Sequence, residues 1–276
     1  MLCKHWWTPA VIIALCLTGC RVVPAHNPLA TWVPSPNFDQ RKASMIVLHY
    51  TAETSVQDAL HTLRAHNGDS ELVSAHYLIG NNGRIYQLVA NGDRAWQAGK
   101  SWWGLTDDVN SRSIGIELDN DGHEPYPQAQ INSLLTLLTR LTTDVGIPRT
   151  AIVGHADVAP TRRADPGVYF PWDELAKHGF GLWYDSGPLP SPPEGFNDMM
   201  GLRLIGYDVT NPTAAIIAFN RHYRSDDSNR LDARDERIIW DLDGKIMEMG
   251  KWSEVTACGK PITGKVVGEG TSETCH

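Results

Sequence analysis

The sequence predicts an α/β domain, a mixed central β-sheet with helices packed on it, followed by a small three-helix domain at the C-terminal side. Three observations lead there. Short apolar runs of strand length alternate with stretches of helical spacing. The turn triplet Asn81-Asn82-Gly83 separates two of those runs as hairpin punctuation. A proline cluster (Pro188, Pro190, Pro192, Pro193) then divides this pattern from a purely helical one. The organisation expected is a leader at 1–19, a tether at 20–40, the α/β domain at 41–185, a Pro-rich linker at 186–196, the helical domain at 197–243 and a tail at 244–276.

Taken in order, Met45 to Leu48 is a continuous apolar run, as a strand buried on both faces requires. Val56 to Leu63 supports a helix. Ala75 to Ile79 and Ile85 to Val89 are the two arms around the Asn-Asn-Gly turn, and Ile114 to Leu118 and Ala151 to Val153 are further buried strands. Between these, Pro127 to Val145 places Ile131, Leu134, Leu135, Leu138 and Leu141 at helical spacing. Arg21 to Arg41 is rich in Pro and polar residues without a period, which reads as tether. Beyond the prolines, Met199 to Tyr207, Thr213 to Tyr223 and Leu231 to Leu242 read as helices. Three short helices bury little surface alone, so this unit is expected to lean on its neighbour. The stretch from Gly244 to His276 is turn-rich and weakly patterned.

The first residues carry Lys4, an apolar stretch from Val11 to Leu17, and then Leu17-Thr18-Gly19-Cys20. This is the layout of a secretory leader, and the apolar stretch is too short to span a bilayer. The Leu-Thr-Gly-Cys ending resembles a bacterial lipobox, which implies cleavage before Cys20 and its lipidation. Arg21, rather than Asp, follows, which directs the expectation to the outer membrane, facing the periplasm. Loss of Lys4 takes the formal charge from −8 to about −9. An acidic chain is a poor nucleic-acid binder, and anionic headgroups would not attract it, so the membrane partner is reached through the anchor. Of the five Cys, only Cys258 and Cys275 would remain as thiols, and an oxidising compartment allows one disulfide or two free thiols.

The run from His155 to Gly167 carries the chemistry. It holds an imidazole and, ten positions on, the carboxylate of Asp165. Pro160 and Pro166-Gly167 prevent a single helix, so the segment folds back and its ends can converge. His49, closing the apolar run that begins at Ser44, is a second imidazole suited to that point. Two His and one carboxylate, with a fourth position for water, form the ligand set of a catalytic zinc hydrolase. Glu117, in Ile114-Gly-Ile-Glu-Leu, is a carboxylate flanked by strand residues; burial would raise its pKa and suit it to proton transfer. Asp157 reads as a residue that orients the ligand loop or caps a helix.

Leu48-His49-Tyr50-Thr51, Ser74-Ala75-His76-Tyr77, Gly115-Ile116-Glu117 and the His155 to Gly167 run together resemble the zinc N-acetylmuramoyl-L-alanine amidases. These share a fold with phage amidase endolysins and animal peptidoglycan recognition proteins. The likeness is greatest to the outer-membrane lipoprotein amidases of Gram-negative bacteria. It covers residues 40 to 185, while Gly206-Tyr207 and Ala218-Phe219-Asn220 resemble markers of a three-helix peptidoglycan-binding domain. The resemblance implies Zn2+ held by His49, His155 and Asp165, with Glu117 as proton shuttle. Arg163 stands where the family often has Lys and would stabilise the oxyanion, though a forked guanidinium is not equivalent to an ammonium. His76 matches a position near the substrate groove, with a core imidazole as the alternative. Trp96, like Trp102 and Trp103, would stack on sugar or pack the domain, and Asn120 would face the peptide stem. Gln97 departs from the Trp-His-Ala-Gly pattern of relatives. The implied activity is hydrolysis of the amide between N-acetylmuramic acid, or its anhydro form, and L-alanine of the stem peptide, by a monomer acting on peptidoglycan or muropeptides. The alternative is a non-catalytic peptidoglycan-binding lipoprotein.

Overall fold

The structure, a computed structural model, describes residues 26–41, 43–65 and 72–253. The expectations for residues 1–19, Cys20, Cys258 and Cys275 lie outside these.

The sheet grows from two central strands. β3 (Met45–Tyr50) and β7 (Ser113–Leu118) pair in parallel, with His49 opposite Glu117. β8 (Ile152–Gly154) adds to the other edge of β3. On the far side lie β4 (Tyr77–Ile79), β5 (Ile85–Gln87) and β1 (Thr31–Trp32), giving the six-stranded order β1-β5-β4-β7-β3-β8. The β4–β5 pair is antiparallel and the others are parallel, so the sheet is mixed as expected. Gly83, at φ +79°, makes the hairpin turn; a Cβ there would also lie 2.7 Å from the Ala129 carbonyl oxygen. β2 (Phe38–Gln40) and β6 (Asp93–Ala95) form a separate antiparallel pair.

The strand period of two divides the sheet into two faces. Ile46, Leu48, Ile114, Ile116 and Leu118 pack under α3 (Gln128–Asp144), against its Ile131, Leu134, Leu138 and Leu141. Each such fully buried aliphatic side chain contributes about 1.5–3 kcal/mol. Met45 and Val47 face the other way, with Val109, Val153 and Val158. His49 and Glu117 fall in phase with this second face. α1 (Val56–Thr62) starts where Ser55 accepts from the Asp58 amide at 3.2 Å, so its end is set by sequence chemistry.

Two expectations fail. The tether is structured from Asn27 onward: its amide donates to Gln87 Oε1 at 2.7 Å, and Ser35 and Asn37 are bound to the carbonyls of Leu63 and Ala65, each at 2.9 Å. Strands of two or three residues show no period, and buried polar side chains satisfied by backbone look like tether composition. The helical part also departs at its end. α6 (Asp198–Ile205) and α7 (Pro212–Arg224) match expectation, but α8 (Ala233–Ser253) runs past Gly244 into the expected tail. Ile246 packs on the helical core, and Lys245 reaches Asp185 at 2.5 Å and Asp241 at 3.2 Å, which offsets the cost of a helical glycine. α2 (Val109–Arg112), α4 (His155–Val158) and α5 (Trp172–Lys177) are too short for a visible period.

The helical unit does lean on the sheet domain. Trp103 meets Tyr207 edge-on at 5.1 Å, Arg203 lies 4.8 Å over the Trp102 ring, and His222 stacks on Trp172 at 3.7 Å. Trp102 and Trp103 are therefore packing residues at this junction.

Candidate functional site

His49 is the penultimate residue of β3, His155 follows β8 directly, and the site lies at the carboxyl ends of parallel strands, where side chains from adjacent strands meet in a crevice. The segment after α4 returns as its prolines require, and the Ala156 amide donates to the Asp165 carbonyl at 2.7 Å, closing the loop. His49 Nδ1, His155 Nδ1 and Asp165 Oδ2 then stand 3.0 Å from one another, pair by pair. All three residues are buried.

Their outer partners decide what meets at the centre. Ser113 Oγ–H donates to the Val109 carbonyl at 2.7 Å, so its lone pair accepts from Gln97 Nε2 at 2.6 Å. That turns Gln97 Oε1 toward His49 Nε2, 2.5 Å away, and an amide oxygen only accepts, so the His49 proton sits on Nε2. His155 Nε2 donates to the Ala98 carbonyl at 3.2 Å. In the neutral form of both rings, the Nδ1 atoms therefore point bare lone pairs at a carboxylate oxygen. Three converging lone pairs repel unless a cation lies among them. Where no metal is bound, a proton meets the same demand: burial opposes the His49 charge, but Glu117 and Asp165 outweigh burial and raise its pKa above the ordinary value. Among the described residues this is the cluster fit to hold a metal ion.

These residues open onto a cleft of about 410 Å³, whose lining includes His49, Glu117, His155, Asp165, Arg163 and Trp96. Glu117 Oε2 is buried without a hydrogen-bond partner among the described residues. Burial pushes this carboxyl up to about 7, with Asp165 adding and His49 and Arg163 opposing. A carboxyl poised there exchanges protons at neutral pH.

Other expected residues fall elsewhere. His76 is absent from the lining and fully buried; its Nδ1 accepts from the Gly115 amide at 3.0 Å and its Nε2 donates to the Asp93 carbonyl at 2.9 Å. Burial, then the Arg41 charge, lowers its pKa to about 3, so it is a neutral core imidazole. Asn120 is also buried outside the cleft lining, and its Oδ1 accepts from the Gly122 amide at 2.7 Å in a local turn. The resemblance implies substrate contact for both, with a core imidazole as the alternative for His76; backbone groups claim both side chains, and for His76 the core alternative holds.

Two groups support the ligands: Arg162, which motif order does not reveal, and Asp157, which the sequence reads as orienting the ligand loop or capping a helix. Arg162 binds the Ala98 and Lys100 carbonyls, the former being the acceptor for His155. Asp157 Oδ2 accepts from the Gly154 amide at 2.6 Å and His222 Nδ1 at 2.7 Å, while its Oδ1 accepts from Tyr207 at 2.8 Å. Asp157 thus caps the turn carrying His155 and ties it to α7 and the end of α6.

The sequence profile of the family N-acetylmuramoyl-L-alanine amidase matches residues 39–168. The chain is 34% identical over 214 residues to the N-acetylmuramoyl-L-alanine amidase AmiD of Escherichia coli, covering 66% of this chain and 75% of that one. It is 35% identical over 177 residues to the 1,6-anhydro-N-acetylmuramyl-L-alanine amidase AmpD of Haemophilus influenzae, covering 57% and 90%. The structure of E. coli AmiD in complex with the substrate anhydro-N-acetylmuramic acid-L-Ala-D-gamma-Glu-L-Lys superposes with a TM-score of 0.64 at 34% identity, covering 74% of this chain and 89% of that one. With its sheet, its cleft and this relatedness taken together, the chain belongs to the N-acetylmuramoyl-L-alanine amidase family.

Proposed function

We propose that this protein is a zinc-dependent hydrolase of the amide between the lactyl group of N-acetylmuramic acid, or its 1,6-anhydro form, and L-alanine of the peptidoglycan stem. The observation that carries the proposal is the convergence of three lone pairs, from His49, His155 and Asp165, beside the Glu117 carboxyl, whose Oε2 has no hydrogen-bond partner among the described residues, in one cleft. Two imidazoles and a carboxylate suit zinc with one open position. Bound there, zinc supplies a Lewis acid that polarises the scissile carbonyl and acidifies water.

The chain's own residues do the rest. Glu117 takes a proton as the water oxygen bonds to the carbonyl carbon, and returns it to the amide nitrogen as the C–N bond breaks. The products are a lactyl carboxylate and a peptide with a free amino group. Arg163, lining the cleft, would face the negative charge that develops on the carbonyl oxygen. Trp96 offers a flat face to the sugar or stem. The substrate named for AmiD, and the anhydromuramic pentapeptide bound by the related AmpDh3 of Pseudomonas aeruginosa, support a muropeptide in this cleft.

We place the enzyme at the outer membrane, lipid-anchored through Cys20 and facing the periplasm, as a monomer whose helical unit adds a weaker contact to the wall. Such tethering raises effective substrate concentration without changing the chemistry. Digestion of purified muropeptides with product identification by mass spectrometry tests the activity: released stem peptide is expected, and it should vanish on chelation and fall about 10²- to 10⁴-fold in Glu117→Gln. Undiminished cleavage in either case refutes the mechanism. Radiolabelled fatty acid incorporation that survives Cys20→Ala would refute the anchor.

A further inference from the structure

Gln97 is the part of the site that the motif reading left without a role. We infer that Gln97 is a positioning residue: its amide oxygen holds the His49 ring in the orientation and tautomer that present Nδ1 to the metal. This rests on the metal reading given above.

The geometry is a relay with one direction. The Val109 carbonyl can only accept, so the Ser113 hydroxyl donates to it and offers a lone pair in return. Only the amide nitrogen of Gln97 can donate to that lone pair, at 2.6 Å, and this fixes which end of the amide meets His49 at 2.5 Å. The backbone of the same segment is fixed separately, with the Gln97 and Ala98 amides both donating to Asn110 Oδ1, at 3.1 and 2.8 Å. Space is arranged as well. Ser113, Gly115 and Glu117 alternate along one face of β7, so the middle position lies beneath Gln97. A Cβ at Gly115 would stand 2.6 Å from Gln97 Cγ and push the amide off His49. Along one strand, then, Ser113 anchors the positioning residue, Gly115 makes room for it, and Glu117 serves the cleft. An amide is neutral and does not titrate, so the relay keeps its direction at any pH at which the fold persists.

The test measures zinc affinity by competition with a chromophoric chelator, and the His49 imidazole N–H signal in zinc-loaded, 15N-histidine-labelled protein. Gln97→Leu should weaken zinc binding about 10- to 100-fold, the range for loss of a partner that orients a metal-bound His. Its His49 Nε2–H signal should shift upfield and exchange faster with water. Gln97→Glu keeps an acceptor and should restore affinity to within about threefold, because a carboxylate orients a metal-bound His as well as an amide oxygen does. Ser113→Ala, which leaves Gln97 in place but unanchored, should give a smaller loss. Wild-type affinity in Gln97→Leu overturns the inference. So does a Gln97→Glu variant as weak as Gln97→Leu, because packing rather than the acceptor would then be responsible. A wild type that binds no zinc overturns the metal reading itself, a result distinct from the other two.

Discussion

Replacing Asp157 by Ala should destabilise the whole protein, although the residue lines no part of the cleft. Its carboxylate is the acceptor for three donors from three places: the Gly154 amide at 2.6 Å, His222 Nδ1 at 2.7 Å and the Tyr207 hydroxyl at 2.8 Å. The residue is 1% exposed, so water does not replace it without opening the junction. Each stranded buried donor costs about 1–3 kcal/mol. Relief of the carboxylate's own desolvation offsets part of this, leaving about 3–5 kcal/mol, as for other buried pairs that lose one partner. Stability of a domain is about 5–15 kcal/mol, so the loss is a large fraction of it. Asp157→Asn can keep its oxygen toward Gly154 and His222 while its NH2 donates to the Tyr207 hydroxyl, and should lose only about 1–2 kcal/mol. Tyr207→Phe removes one bond to a charged acceptor, about 1.5–3 kcal/mol. Equilibrium unfolding in urea reads all three, and the order should be Ala worst, then Tyr207→Phe and Asn. A loss below about 1 kcal/mol in Asp157→Ala, or additive effects of Tyr207→Phe and His222→Leu, would refute the view that one carboxylate joins the helical unit to the His155 turn.

Glu117→Gln should reduce stem-peptide release about 10²- to 10⁴-fold while zinc binding by chelator competition stays within a few-fold, since the change removes a proton acceptor and leaves His49, His155 and Asp165 intact. Arg163→Ala should lower kcat about 10- to 100-fold with little change in KM, and Arg163→Lys should recover part of it; equal loss in both would show that the fork, rather than the charge, matters. Asp243 is held near pKa 7 because burial penalises its charged form. An acid raised in this way favours the fold below its unfolded pKa, and that contribution is lost as pH rises from about 4 through 7. Asp243→Asn should therefore melt above the wild type at pH 8, by about 1–2 kcal/mol after allowing for solvent screening, with the gap shrinking toward pH 4. A pH-independent gap would show that the carboxyl's charge is not the cause.

Long elements and motif residues were legible because their signals are local. The spacing of Ile131, Leu134, Leu138 and Leu141 specifies one helical face, and Asn81-Asn82-Gly83 specifies a turn that needs a positive φ. Pro160 and Pro166-Gly167 excluded a single helix from His155 to Gly167 and allowed its ends to converge, which the hydrogen bond from the Ala156 amide to the Asp165 carbonyl realises. Elements shorter than about two periods escaped: β1, α2, α4 and α5 carry too few residues for a pattern, and α1 is near that limit. The buried Asn27, Ser35 and Asn37 passed for tether, since nothing local tells a solvated polar side chain from one satisfied by a distant carbonyl.

At the site, the sequence by itself named the candidates, from residue type and flanking pattern: His49, His155 and Asp165 as a proposed ligand set and Glu117 as the proposed proton carrier. The tertiary structure decided which lone pairs meet and what holds them. It moved His76 and Asn120 into backbone-bound positions away from the cleft, because their polar atoms were claimed by Gly115, Asp93 and Gly122. It also set Gln97 against His49, and His222 against Asp157, across 48 and 65 residues of chain. Ligand identity is a property of one side chain and can be read along the chain. Ligand orientation belongs to hydrogen bonds between segments, and those exist only once the chain has folded.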